Sequence, residues 1–149
     1  MENNFYRTAD WLTACGKVPS AETASLQIGC DIEEQVEFLE CLTLENDGNW
    51  TMLQEAIRSL KRVATALKTG ADKAIVTDED RVSALDALCD REVTGNGVAH
   101  LLGLNKPMAD QAGLASNEAK LVDGSPIILE GGKIGKPEGW TAPDLSDFV

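Results

Sequence analysis

The chain has 149 residues, 43% hydrophobic and 26% charged, with aromatics at only 5% and a formal net charge of −12. That length fits one domain with a substantial core, and the scarcity of aromatics suits helices packed through aliphatic and alanine contacts better than a β-sandwich. Thirteen Lys and Arg against 25 Asp and Glu exclude the basic stripe of a nucleic-acid-binding surface.

Taken in order, Phe5, Ala9, Trp11, Leu12 and Ala14 predict a first helix from Phe5 to Cys15, stopped by Gly16. Ser20 is a candidate N-cap for a second helix, whose Leu26, Ile28, Ile32, Val36 and Leu39 carry it to about Leu44. Asn46-Asp47-Gly48-Asn49 reads as a turn. A third helix follows from Trp50 to Thr69, with Leu53, Ile57, Leu60, Val63, Ala64 and Leu67 in period and Gly70 ending it. Thr77-Asp78-Glu79-Asp80 supplies an N-cap and acidic first turn for a fourth helix, running through Val82, Leu85, Leu88, Cys89 and Val93 to Leu101 or Leu102. Gly95 and Gly97 inside it cost about 1 kcal/mol each relative to Ala, which suits places where another backbone or a ligand comes close. Pro107 opens a short fifth helix to about Leu121.

From Val122 onward five glycines and three prolines break every period. Ile127-Ile128-Leu129 and Lys133-Ile134 flank Gly131-Gly132 in the manner of a hairpin, and Trp140 predicts that the tail packs back on the helices. The expected fold is all-α and four-helix-bundle-like, a single domain over residues 1–149. Its helical core covers about residues 5–121, and a structured, mostly irregular tail covers 122–149. Cys15, Cys30, Cys41 and Cys89 lack CxxC spacing and read as reduced, buried thiols of a cytoplasmic protein. No apolar run reaches membrane-span length, and Met1-Glu2-Asn3-Asn4 lacks the opening of a secretory signal.

Within Asp31–Leu42 the second helix carries Glu33, Glu34, Glu37 and Glu40. Glu34 and Glu37 are spaced i, i+3 and Glu33 and Glu37 i, i+4, so like charges meet on one face at a cost of roughly 0.2–0.5 kcal/mol per pair, which a cation would relieve. Asp86 and Asp90 form a second acidic pair at i, i+4 on the fourth helix. A cage of Glu34, Glu37 and Asp90, with Glu33 and Asp86 beside it, suits Mg²⁺, or Mn²⁺ in its place. Mg²⁺ takes one or two protein carboxylates and completes its shell with water and phosphate oxygens. The alternative is a solvated acidic face. A ferritin-like di-iron site is excluded, since it needs Glu-x-x-His steps and the only histidine, His100, has Gly97 three residues before it.

Glu33-Glu34-x-x-Glu37, the later pair ending in Asp90, Thr94-Gly95-Asn96-Gly97-Val98-Ala99, Ser116-Asn117-Glu118-Ala119-Lys120, Gly132-Lys133-Ile134-Gly135-Lys136-Pro137 and Pro143-Asp144-Leu145 occur in that order. Together they resemble the all-α nucleoside triphosphate pyrophosphohydrolases, which include MazG, the phosphoribosyl-ATP pyrophosphohydrolases and the dimeric dUTPases and dCTPases. From about residue 5 to the C-terminus the order is most similar to the small MazG-like proteins of bacteria and phages. The resemblance implies Mg²⁺-dependent hydrolysis of a nucleoside triphosphate, a deoxynucleotide such as dCTP or dUTP, to monophosphate and pyrophosphate, as nucleotide-pool housekeeping. It also implies a homodimer or dimer of dimers, in which two subunits complete the bundle, with neither nucleic acid nor membrane as partner.

By residue matching, the resemblance makes Glu34, Glu37 and Asp90 metal ligands and Glu33 a ligand or the group that orients water. Where the family has Glu-x-x-Asp, Ala87 stands in the place of that Glu and Asp86 lies one residue earlier, which leaves the number of ions open. Lys120, Lys133 and Lys136, the only Lys or Arg after Lys106, would meet the outer phosphates. Asn96 and Asn117 would bond a phosphate or sugar oxygen, and Trp11 would stack on the base. A reading of another class is a non-catalytic helical interaction or regulatory module that keeps the fold with a degraded second metal motif.

Overall fold

A computed structural model describes residues 3–129 and 133–149. The fold is all-α, with five helices: α1 (Asn4–Ala14), α2 (Ala21–Glu40), α3 (Asp47–Thr69), α4 (Arg81–Leu101) and α5 (Lys106–Glu118). One small two-stranded sheet, β1 (Leu121–Val122) and β2 (Ser125–Pro126), follows them. The chain divides into two compact units, one of Pro19–Thr77 and one of Met1–Val18 with Asp78–Val149.

The unit of residues 19–77 is an αα-hairpin. Ser20 caps α2 as its sequence predicts: its hydroxyl accepts from the Thr23 amide at 3.1 Å, and the Thr23 hydroxyl accepts from the Ser20 amide at 3.0 Å. α2 ends at Glu40, short of the expected Leu44, because the chain needs those residues to turn. The Asn46 cluster is not a free turn but the start of α3. The Asn46 carboxamide oxygen accepts from the Asn49 amide at 2.9 Å, so the helix begins at Asp47, ahead of Trp50. Lys61 meets Glu40, Lys68 meets Glu33 and Lys73 meets Glu22; partners rise along one helix as they fall along the other, so the two run antiparallel.

Their stripes supply the core of this unit. Val36, Ile57, Ala64 and Leu67 are buried, and full burial of a side chain the size of Val36 contributes about 1.5–3 kcal/mol. Gly29 lets the helices approach closely, since a Cβ there would lie 3.0 Å from the Ala64 carbonyl oxygen and 2.9 Å from Lys68 Cγ. Ser25 is buried, yet its hydroxyl accepts from the Ala74 amide at 3.0 Å and donates to the Ala74 carbonyl at 3.3 Å. That bond lays the stretch after α3 along α2.

In the other unit α1 packs on α5. Arg7 donates through Nε and Nη2 to both carboxylate oxygens of Glu118, each at 2.8 Å, and through Nη1 to Gln111. Pro107 sits in the first turn of α5, as expected. That helix stops at Glu118, before the expected Leu121, because Leu121 pairs with Pro126 and Val122 with Ser125 across a two-residue turn. The turn is Asp123-Gly124, with φ of 51° and 76°, the Asp-Gly signature of a type I′ hairpin. Ile128 bridges Ile134 in antiparallel fashion, which matches the flanks of the expected hairpin; its Gly131-Gly132 turn lies outside the described residues. Trp140 packs the tail back on α5 by donating its indole N–H to the Ser116 carbonyl at 2.9 Å.

α4 and the cysteines depart from expectation. α4 begins at Arg81, a turn later than a Thr77 cap would place it. Its apolar residues do not form a core: Val82, Leu85, Leu88 and Val93 are between 58% and 80% exposed. A Cβ on Gly95 or Gly97 would meet nothing within 4 Å among the described residues, so of the two reasons expected for these glycines, a backbone or a ligand close by, the backbone is not found. The cysteines are free, but only Cys15 is buried, while Cys41 and Cys89 are exposed. Among the described residues no helix is long and apolar enough to cross a membrane.

Candidate functional site

The acidic row of α2 is sorted by α3. Lys68 Nζ lies 2.5 Å from Glu33 Oε1 and Lys61 Nζ lies 2.5 Å from Glu40 Oε1, so these two glutamates are neutralised from the neighbouring helix. Glu34 and Glu37 meet no cation among the described residues. Burial, with the Glu37 and Glu33 charges behind it, pushes the Glu34 carboxyl above the ordinary carboxylate value. A group in that state gains from a cation. The oxygen-only donor set of Glu34 and Glu37 fits Mg²⁺, which asks for few protein ligands. Glu33 gives one carboxylate oxygen to Lys68.

Asp86 and Asp90 stand exposed on α4, one turn apart, and neither carboxylate meets a cation among the described residues. They belong to the unit that lacks α2. Within either unit, no three His, Cys, Asp or Glu side chains are gathered among the described residues closely enough to hold a metal ion.

The tail brings together three of the residues expected to bind substrate. Lys136 Nζ lies 4.4 Å and Lys120 Nζ 5.3 Å from the centre of the Trp140 ring, which the Ser116 bond holds in place. Both ammonium groups gain from the ring's quadrupole. Lys120 also donates to the Asn117 carboxamide at 2.8 Å. Burial first, then the Lys136 charge, pulls the Lys120 ammonium below the ordinary lysine value. Neither lysine meets a carboxylate among the described residues, so an anion would find here two converging donors whose mutual repulsion it relieves. Gly135 makes the neighbouring strand approach possible, since a Cβ there would come 2.9 Å from Ile127 Cγ2.

The remaining expected residues lie apart from this cluster. Lys133 is exposed on the bridged segment. Asn96 lines a cleft of about 520 Å³ with Glu92, His100, Lys106, Asp110 and Gln111, whereas Asn117 lines an open groove of about 720 Å³ over α1 and α5. Trp11 is half-buried, and its indole N–H is buried with no hydrogen-bond partner among the described residues. Sequence reasoning missed the Trp140 platform, for which Lys136 and Trp140 at a spacing of four were the only signal. It also missed Glu92 and His100 as cleft residues, and Lys68 as the partner of Glu33. Comparison of the chain with family models, with curated proteins and with solved structures returns no match.

Proposed function

We propose that the chain hydrolyses a nucleoside triphosphate, a deoxynucleotide such as dCTP or dUTP, to monophosphate and pyrophosphate with Mg²⁺, or Mn²⁺ in its place, as the MazG-like pyrophosphohydrolases do. The assembly that goes with this reading is a homodimer or dimer of dimers. One observation supports it: of the five glutamates on α2, the two left without a lysine ion pair among the described residues are Glu34 and Glu37, the pair that residue matching makes metal ligands. A solvated acidic face gives no reason for that selection.

In this reading water adds to the α-phosphorus, and the α–β bridging oxygen leaves with pyrophosphate. The ion, when bound, supplies positive charge against which phosphate oxygens gather. Glu34 and Glu37 would hold it on α2, where Glu33, steadied by Lys68, would orient the attacking water; Asp86 and Asp90 would be the acidic pair of α4. Lys120 and Lys136 hold outer phosphate oxygens over Trp140, with Lys133 following them, while Asn117 and Asn96 take phosphate or sugar oxygens and Trp11 the base. The test is pyrophosphate release with Mg²⁺ across canonical and modified nucleotides. No turnover with any triphosphate, or full turnover by Glu37→Ala, sinks the reading.

The second reading, a non-catalytic interaction module, is favoured by one specific observation: the bare apolar stripe of α4. Such a protein would show neither turnover nor Mg²⁺-dependent thermal stabilisation.

A further inference from the structure

We propose that the cleft between α4, α5 and the start of α1 is a subsite for the sugar of a nucleotide, with Glu92 as the residue that selects it by accepting from the 3′-hydroxyl. The inference rests on the nucleotide reading above and adds to it the sugar chemistry that the site takes.

Every residue lining the cleft belongs to the unit of Met1–Val18 and Asp78–Val149, so its walls owe nothing to the helical hairpin. Its volume of about 520 Å³ is that of a small-molecule site. On the α5 side the polar groups are engaged with one another. Lys106 Nζ meets Asp110 Oδ2 at 2.7 Å, while Gln111 donates to the Asn4 carboxamide at 2.9 Å and accepts from Arg7. On the α4 side Glu92, Asn96 and His100 follow at intervals of four residues, so one row of side chains lines the cleft. Among the described residues of the unit, none of these three side chains has a hydrogen-bond or ion-pair partner.

That row decides what the cleft takes. The Lys106–Asp110 pair cancels its own charge, whereas Glu92 brings a carboxylate without a counterion one helical turn from Asn96, and it repels phosphate. Of the two roles open to Asn96, a phosphate oxygen or a sugar oxygen, the second fits this field. A carboxylate only accepts hydrogen bonds, so Glu92 asks for a donor, and in a deoxynucleotide the 3′-hydroxyl is the only one on the sugar. The Asn96 carboxamide beside it both donates and accepts. Ala99, Leu104 and Pro107 line the cleft with apolar surface for the C–H face of the sugar.

The cleft also stands in the right order with the cations. The open groove of about 720 Å³ shares Asn4, Glu92, Lys106 and Asp110 with it and reaches Asn117. Pro107 in the cleft and Asn117 in the groove lie ten residues apart, about 15 Å along α5. Asn117 accepts from Lys120, which shares the Trp140 ring with Lys136. An end that asks for a hydroxyl and an end with two ammonium groups, joined by one groove, match a nucleotide laid along α5. Its sugar lies at Glu92 and its outer phosphates at Lys120 and Lys136. A phosphate on the 3′-oxygen would remove the hydroxyl and set its charge against Glu92, so the site takes free mononucleotides and not nucleotides within a strand.

The experiment uses the full chain and reads binding apart from turnover. His100 is the only histidine of the chain and lines the cleft, so the magnetic resonance signals of its imidazole C–H protons report on the cleft. Deoxycytidine or deoxyuridine, which carry no phosphate, should shift these signals in a saturable way. The 2′,3′-dideoxynucleosides should bind about tenfold more weakly or worse, as the loss of one hydrogen bond to a charged group implies. Glu92→Ala should bring the two affinities together with helical circular dichroism unchanged. In turnover with Mg²⁺, the parent should prefer the deoxy- over the dideoxytriphosphate in kcat/KM by about the same factor, and Glu92→Ala should lose the preference. Nucleosides that leave His100 unmoved, or a Glu92→Ala chain that keeps the discrimination of the parent, overturn the proposal. Equal turnover of deoxy- and dideoxytriphosphates overturns it while the hydrolytic reading stands. Absence of turnover with every triphosphate overturns the hydrolytic reading, and the His100 signals then decide the subsite by themselves.

Discussion

Lys68 Nζ stands 2.5 Å from Glu33 Oε1, and Glu34, the next residue, is left without a cation. The contact spans 35 positions of the chain. It gives neighbouring glutamates opposite circumstances: one is neutralised from α3, while the other is pressed by burial and by Glu37 and Glu33.

If the unpaired glutamates hold a divalent ion, Mg²⁺ raises the melting temperature of the chain. A ligand at a hundred times its Kd adds about 2.7 kcal/mol of stability. Glu34→Gln and Glu37→Gln are expected to abolish that rise and to lower turnover about a hundredfold or more, since even groups behind a metal's ligands respond on that scale. Glu40→Gln, whose carboxylate already pairs with Lys61, should keep both. Differential scanning fluorimetry with and without Mg²⁺ and a pyrophosphate-release assay read the two arms.

Two glycine-to-alanine changes should have opposite signs. At Gly29 the new Cβ meets the Ala64 carbonyl at 3.0 Å, a backbone atom that cannot swing aside, so overpacking costs about 1–3 kcal/mol. At Gly95 nothing lies within 4 Å of the new Cβ, so the gain in helix propensity, up to about 1 kcal/mol, is felt in full. Urea denaturation of both variants tests the pair. A stabilised Gly29→Ala would mean that the helices are not held at this distance.

Lys120 titrates below the ordinary lysine value in the folded chain. Between that lowered value and the unfolded one, the unfolded chain holds more protons, so stability rises as pH rises through the window. Below that window both states are protonated, and the cost of burial and of the Lys136 charge is present in full. Lys136→Ala should flatten the rise seen in melting curves up to about pH 10.5, the ordinary range for lysine. Pyrophosphate at pH 7 should stabilise the parent chain and have less effect on the variant.

Glu118 behaves in the opposite sense. Its hydrogen bonds from Arg7, more than any other influence, hold its carboxyl below the ordinary value. The stabilisation is present above the unfolded carboxylate value and is lost as pH falls through the folded one. Arg7→Met should remove this part of the acid sensitivity and loosen α1 from α5, which amide hydrogen exchange across α1 would register.

Local signals in the sequence were enough for every helix: the Leu53-to-Leu67 period with Gly70 for α3, Ser20 for the start of α2, and Pro107 for α5. What failed locally were signals with two meanings. Asn46-Asp47-Gly48-Asn49 is turn chemistry and also cap chemistry, and only the Asn46 bond to the Asn49 amide decides between them. An apolar stripe predicts that something covers a helix without saying what, so the run from Val82 to Val93 marks α4 as a helix but not what lies against it. Of the candidate site, the acid-rich face of α2 was visible, but not which acids stay free, because Lys61 and Lys68 reach them from another helix. The cluster of Asn117, Lys120 and Lys136 was foreseen as residues and not as a shape. Trp140, which gives it one, looked like packing alone.

Glu22 and Lys73 stand at the two ends of the helical hairpin, and their side chains touch at 2.7 Å, with Ser25 and Ala74 bonded close by. The hairpin therefore leaves the rest of the chain and rejoins it at nearly one point. It is built like a cassette: residues 19–77 could be exchanged for a hairpin of another length, or excised and the gap closed by a short linker, without stretching the backbone on either side. The acids of α2 and the lysines that sort them would travel together in such a transplant.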